Sequence, residues 1–549
     1  MVKKILFSCV ALLLVSVSIF VWQRRGLVPS SSTAEENYFA SDTQDICIEP
    51  ANDTYFDYAS DEPRLVAGTM EAQVANLQKL AMVWGFTKYT HLAFLTGEKC
   101  WDEELLNLIP IIQFADPQDV NDILYEWFVG LGDDGYSLDW VTMRINILDS
   151  LREFSEYYYL AQEVFPDDLE MDWLAFQNLR IEFNLLSGFE ASVRHRANLE
   201  WISDASFLGE SLTTALSRFV EVQIFDRSNA PVSFDNLNNS VFTNESSGSG
   251  DLMDFNDVKH RLLGLFRLWN AMKYYYPHMD IIDYDWCELL LYYISEMLKG
   301  TDRISYRTTL VSLARRLDDA HIMIDGVSTH AFERPIDIVG LAPYVLLENN
   351  IGLINPDHRI FSPGDIRHIM ETFKDTDGLI IDLRQYPCFS IVYELAEYIV
   401  EERQRFFVFT FPSDTVPGEF IYVPNPWLYS GGIESPYAFF YDKPVVILMN
   451  RSTMSRAEHA VMSLRNGKNV TVMGTNSIGA NGNVTFLPLP GGMTMQFTGL
   501  GIYTQDGDQT HRIGLSPDIY VDQTEAGIVE GYDELFEAAL KYLTGNPSS

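Results

Sequence analysis

Two runs in the second half of the chain are apolar residue after residue over most of their length instead of alternating, GLIIDLRQ (378–385) and PVVILMN (444–450), and NVTVMG (469–474) also reads as a strand. A strand with one wet face alternates, so continuous runs fit strands covered on both faces, as in a largely parallel sheet flanked by helices. RFFVFTF (405–411) and MTMQFTGLGIY (493–503) also have strand composition, while Ser455 to Leu464 and Tyr532 to Leu543 have helical periodicity. Residues 331–549 are therefore expected to form an α/β core.

The half before it is helical in texture and repeats itself. Leu77, Leu80, Trp84, Lys88, Tyr89 and Trp101 recur as Leu262, Leu265, Trp269, Lys273, Tyr274 and Trp286, always 185 residues on. Spacings of three and four line one buried helix face, and the constant offset predicts a duplicated helical module. The same offset carries Asp133-Asp134-Gly135-Tyr136 onto Asp318-Asp319-Ala320-His321, so only the second copy ends in a histidine. The predicted organisation is a signal or anchor segment (1–25), a linker (26–60) and an all-α domain holding the first copy (61–225). An Asn/Ser/Gly-rich linker (226–254) and a helical domain carrying the histidine (255–330) then lead to the α/β core.

Two lysines precede an uncharged run from Ile5 to Trp22, followed by Arg24 and Arg25. The run is long for a cleavable signal and just long enough to span a bilayer, so an uncleaved anchor is expected and the body is expected to be extracytoplasmic. Cys47, Cys100, Cys287 and Cys388 are widely spaced with no CxxC, which is neither a disulfide framework nor a metal site. With 38 Lys+Arg against 77 Asp+Glu the net charge is −39. Such a polyanion would be repelled by phosphate backbones, so no nucleic-acid partner is expected; no cofactor or metal is expected either.

The segment PVVILMNRSTMSRAEHAVMSL places Ser455 where a buried strand turns into a helix. A serine there stands beside the unpaired N–H groups and positive end of a helix, which suits a nucleophile whose oxyanion is held by main-chain donors, Arg456 N–H first. The residue pattern also describes an ordinary N-cap, with Glu458 completing a capping box, and on pattern alone that plainer reading is favoured.

The ordered series GLIIDLRQYP, VVILMNRSTMSRAEH, VMGTNSIGANGNVTFLPLPGG, FTGLGIYTQDG, RIGLSPDIYV and EGYDELFEAAL shifts that balance. It resembles the core of the C-terminal-processing (tail-specific) serine peptidases, in the exported branch that also resembles tricorn protease and the interphotoreceptor retinoid-binding repeats. RLLGLFRLWNAMKYYYP and LARRLDDAHIMI resemble the helical domain ahead of that core. The resemblance implies a ClpP/crotonase-like fold, a protein or peptide substrate, and Ser455 as nucleophile. Ser–Lys members carry a lysine 25 residues after the serine; position 480 here is Ala, so the base is expected to be His321, as in tricorn-like members. Tyr136 cannot serve as a base near neutral pH, so the first copy is expected to be non-catalytic.

Two departures stand out. Where triad members place an orienting glutamate this chain has His511, leaving Glu458, Asp319 and Asp506 as candidates for the third role. The DLR strand is followed by Tyr386-Pro387-Cys388 instead of glycines, and proline has no N–H to give an oxyanion, so any second donor is expected to be Cys388 N–H or another main-chain group. Asp382 and Arg384 are expected to form a buried ion pair or loop anchor. The 56 residues between His321 and Gly378 are too few for a PDZ module. The rival expectation is an inactive peptide- or apolar-ligand-binding protein on the same scaffold.

Overall fold

The computed structural model describes residues 68–132, 193–220, 229–234, 239–245, 253–330, 342–355, 363–388, 391–413, 416–422, 429–432 and 438–545. The candidate anchor (1–25), the linker at 26–60 and Tyr136 lie outside these residues. Among the described residues no helix is long and apolar enough to cross a membrane.

Helix α1 (Met70–Thr90) starts on Thr69, whose side chain accepts from Ala72 N–H. It packs on α2 (Trp101–Phe114), which is followed by α3 (Val120–Gly130) and α4 (Ala205–Ser217). The second copy is α5 (Val258–Tyr275), α6 (Trp286–Lys299) and α7 (Arg303–Arg315), capped in turn by Asp257, Asp285 and Asp302. From Leu77 in α1 and from Leu262 in α5 nearly every side chain is buried, so these two helices form the spine of one large apolar cluster.

This half is not all helical, which corrects the expectation for residues before the core. Strand β1 (Val193–Arg196) has no apolar periodicity to betray it, and β2 (Ser233–Phe234) and β3 (Ser240–Val241) form a hairpin inside the stretch expected to be a linker. After α7 come β4 (Met323–Ile324) and β5 (Val327–Ser328).

The second half opens with β6 (Tyr344–Leu346), β7 (Ile351–Ile354), α8 (Pro363–Phe373) and β8 (Gly378–Asp382). Next are β9 (Gln404–Arg405), β10 (Phe407–Pro412), β11 (Glu419–Tyr422), β12 (Tyr429–Ser430) and β13 (Val445–Met449). Helix α9 (Arg456–Leu464), β14 (Val470–Gly474), β15 (Val484–Leu489), β16 (Met493–Thr498), β17 (Gly501–Thr504), β18 (Ile519–Tyr520) and α10 (Glu534–Thr544) complete it. The run 493–503, expected as one strand, breaks at Gly499-Leu500 so that its halves join different sheets.

A six-stranded sheet in the order β18-β14-β13-β8-β7-β6 is parallel except for the edge strand β6. The pleat sorts its apolar runs between two layers. Leu379, Ile381, Val445, Ile447 and Met449 pack on α8 and α9, while Ile380, Val446 and Leu448 pack on α10. Each fully buried aliphatic side chain of this kind contributes about 1.5–3 kcal/mol, which is why the strands need no alternation. Two antiparallel sheets tie the halves together: β1-β11-β10-β17, and β15-β16-β4-β5.

Candidate active site

Ser455 follows the carboxyl end of β13, the side of a parallel sheet where open α/β folds place their ligands. Thr453 Oγ1 donates to Leu383 O (2.9 Å) and accepts from Asn450 N–H (3.1 Å), which pins the turn to the end of β8. Ser455 N–H donates to Ala480 O (2.7 Å), and Ser455 O accepts from His459 N–H (3.0 Å). Held between these bonds, Ser455 has φ 54° and ψ −119°. A left-handed backbone costs a side-chain-bearing residue roughly 1–3 kcal/mol and persists only where its surroundings enforce it. A strained strand-to-helix turn of this kind lifts a serine hydroxyl clear of its helix.

The plain N-cap reading fails here, because the Ser455 side chain makes no capping bond. The reciprocal capping box is therefore not formed. The buried Glu458 carboxylate instead accepts from Ser477 Oγ and from the N–H groups of Gly479 and Ala480, both at 2.9 Å. Burial pushes this carboxyl up to about 7 against the pull of those donors. Glu458 thus braces the 477–480 loop whose Ala480 carbonyl holds the Ser455 N–H. It is a scaffold for the turn and has no hydrogen bond to His321.

Arg456 opens α9 directly after Ser455, so its main-chain N–H belongs to the helix N-terminus. Its guanidinium reaches the 386–388 segment, with Nη1 donating to Pro387 O (3.4 Å) and the cation 5.1 Å from the Tyr386 ring centre. One turn along α9, His459 lies edge-on to Phe406 and Phe407, and burial pushes its imidazole down to about 4.

His321 stands just before β4. The ladder pairs Ile324 with Met495 and Met323 with Gln496, and continuing that register two residues sets His321 opposite Thr498. His321 Nδ1 lies 2.8 Å from Thr498 Oγ1. Asp319 links the pair, its Oδ1 accepting from His321 N–H and its Oδ2 from Thr498 N–H, both at 2.9 Å. Burial pushes the His321 imidazole below its usual range, partly opposed by Asp319, so it is neutral at neutral pH. Its Nε2 is buried with no hydrogen-bond partner, so no bond joins it to Ser455 Oγ.

His511 lies on the far side of Asp319. Asp319 Oδ1 is 3.9 Å from both His321 Nδ1 and His511 Nε2. The His511 Nε2 is bonded to Tyr276 OH (2.9 Å), and the ring stacks on His278 at 3.9 Å between centres. Burial pushes His511 down to about 4. Asp506, the other candidate for the orienting acid, sits exposed in the turn after β17.

A sequence model of Peptidase family S41 matches residues 359–521. This segment belongs to peptidase family S41. The S41 segment contains Ser455, Arg456, Glu458, Asp382, Arg384 and His511, whereas Asp319 and His321 reach it from the helical half across β4 and β16. The carboxy-terminal-processing protease of Bartonella bacilliformis is 32% identical over 92 residues, 17% of this chain and 21% of that protein. The carboxyl-terminal-processing protease of Synechocystis sp. is 29% identical over 107 residues, 19% and 25% of the two chains. The matches thus span about a fifth to a quarter of these curated relatives. A crystal structure of a proposed peptidase from Parabacteroides merdae aligns with TM-score 0.44 and 20% identity, over 53% of this chain and 99% of that one.

Beside the Ser455 turn, at the end of β8, Arg384 makes a forked pair with Asp382 (2.9 and 2.6 Å) and a second with Asp533 (2.9 and 2.8 Å). Asp533 also caps α10 through Phe536 N–H. These charges anchor the end of β8 to α10. Sequence reasoning missed Asp533, Ser477, Thr498 and Tyr276, because each is assigned only by a contact across the fold. Among the described residues no group of three or more His, Cys, Asp or Glu side chains is arranged to hold a metal ion.

Proposed function

We propose that the protein is a serine endopeptidase working through an acyl-enzyme, with Ser455 as nucleophile, His321 as general base and Arg456 N–H as an oxyanion donor. The observation that carries this reading is the enforced left-handed backbone of Ser455, which leaves its hydroxyl uncommitted to its own helix. His321, neutral and with Nε2 unpartnered, is the base the reading requires. Catalytic hydrogen bonds absent from a ligand-free site commonly form only when substrate is bound.

Ser455 Oγ attacks the scissile carbonyl carbon while its proton passes to His321 Nε2. The carbonyl oxygen becomes an oxyanion facing the helix N-terminus, where one main-chain donor is worth about 10²–10³ in rate. Collapse breaks the C–N bond, and His321 returns the proton to the leaving amine. Water, deprotonated by the same imidazole, then hydrolyses the ester and restores Ser455. The relatives' names concern carboxy-terminal processing; for this chain the reading is cleavage of protein or peptide substrates on the extracytoplasmic side, with residues 1–25 as anchor or signal.

The test is covalent. A fluorophosphonate probe is expected to label the wild-type chain and to leave Ser455→Ala unlabelled. Equal labelling of the two would sink the assignment.

A further inference from the structure

We propose that Thr498 is the positioning residue for His321, standing in for the carboxylate that the family resemblance would place at position 511. This rests on the peptidase reading above for its catalytic meaning, but its geometry is independent of that reading.

A general base that uses Nε2 needs its proton on Nδ1 and its ring held in one orientation. Only a partner at Nδ1 can do both. Position 511 does not provide one: its imidazole is bonded to Tyr276 and stacked on His278. The Nδ1 partner is Thr498 Oγ1, at 2.8 Å. Thr498 is fully buried, and its place is set by the sheet, since the β4–β16 register carries it opposite His321. Its other neighbour across the sheet is Val484, four residues after the Ala480 that holds Ser455 N–H. One strand residue therefore links the histidine's position to the nucleophile's turn.

The work that one carboxylate performs in a Ser-His-acid triad is divided here. The Thr498 hydroxyl holds the ring direction without a charge, and in the proposed role it accepts from Nδ1–H and leaves Nε2 free for the serine proton. Asp319 supplies the charge from 3.9 Å, too far for a hydrogen bond but close enough to favour the imidazolium formed during attack. The same carboxylate keeps both partners in register by accepting the N–H of each.

The test compares Thr498→Val, which removes the hydroxyl at nearly constant shape, with Thr498→Ser, which keeps it, both in the full chain. Loss of the partner that orients a metal-bound histidine commonly costs about 10–100-fold, and a loss of the same order is expected for this imidazole. The fluorophosphonate labelling rate is expected to fall by that factor in Thr498→Val, with a changed pH midpoint, and to recover to within a few-fold of wild type in Thr498→Ser. Labelling of Thr498→Val at the wild-type rate and midpoint would overturn the proposal. A second readout needs no activity and no folded Thr498→Val: long-range ¹⁵N–¹H NMR of the His321 imidazole in Ser455→Ala, assigned by its loss in His321→Gln. An Nδ1–H tautomer supports the proposal and an Nε2–H tautomer overturns it. An unlabelled wild-type chain that shows the Nδ1–H tautomer would sink the peptidase reading while leaving the positioning of His321 by Thr498 supported.

Discussion

Trp84 Nε1 donates to Trp101 O across 2.8 Å, and Trp269 Nε1 donates to Trp286 O across 2.7 Å, so the pairs α1–α2 and α5–α6 make one bond at one spacing. Their lysines differ. Lys88 is buried against Glu245, which also takes Arg267 Nε at 3.0 Å, and Arg267 in turn pairs with Asp102. Lys273 faces the Trp269 ring at 4.9 Å and Cys287 Sγ at 3.9 Å, a thiol in place of a carboxylate. The helices also meet asymmetrically. Gly85 gives way to Asn270, its own equivalent in the second copy, and Asn270 Nδ2 bonds to Ala81 O and Phe266 O, which are themselves equivalent positions. A repeated sequence thus yields repeated main-chain bonding, while burial of charge depends on what the rest of the chain brings to each copy. The Lys88 side of the first copy is closed by a charge network that reaches Arg267 of α5, and the second copy leads through α7 to His321.

The contrast can be broken most sharply at the lysines. Replacing Glu245 with Leu leaves Lys88 and Arg267 buried without their shared carboxylate and is expected to lose about 3–5 kcal/mol in urea unfolding. Lys273→Met, with no carboxylate partner to orphan, is expected to lose less than about 1 kcal/mol. Similar losses in both would show that the two sites do not differ in the way their contacts suggest.

A second difference lies beyond the helices: the second copy runs on to His278, stacked on His511, whereas the matching position in the first is Ala93. His511 titrates at about 4 when folded and near 6.5 when unfolded. The unfolded chain therefore binds the extra proton between those values, and stability falls as the pH drops from about 6.5 toward about 4. His511 alone accounts for roughly 3 kcal/mol of this loss. Urea midpoints measured across that range should drop steeply in the wild type and less so in His511→Gln; parallel curves would exclude His511 as the cause.

The last contrast concerns the crossing of α1 and α5. A Cβ on Gly85 would sit 1.8 Å from Asn270 Oδ1, so Gly85→Ala should cost about 1–3 kcal/mol despite alanine's better helix propensity. The double variant with Asn270→Ala should cost less than the sum of the two single changes. Strict additivity would mean that the two residues do not share the crossing.

Much of the core was legible because apolar runs report burial directly. GLIID and VVILM are buried along their whole length, as unbroken hydrophobicity demands. The 185-residue offset pointed to paired helices for the same reason, since buried tryptophans and leucines at helical spacing leave few alternatives. Strand β1 was not legible. Its VRHR sequence has no apolar face and becomes a strand only because β11 offers a free edge, where Arg196 meets Glu419 at 2.7 Å. Glu245 was hidden by its Asn/Ser/Gly-rich surroundings, which signal a turn but say nothing of the cations it neutralises.

The sequence by itself determined that Ser455 sits between a buried strand and a helix, that His321 ends the second copy, and that position 511 holds no acid. Tertiary structure alone decided that Ser455 is strained instead of capping its helix, that Glu458 braces a loop, and that Thr498 faces the histidine. The physical reason is one of range. Periodicity records which face of a local element is buried, whereas a hydrogen bond between residues 177 positions apart depends on sheet register, which no local pattern encodes.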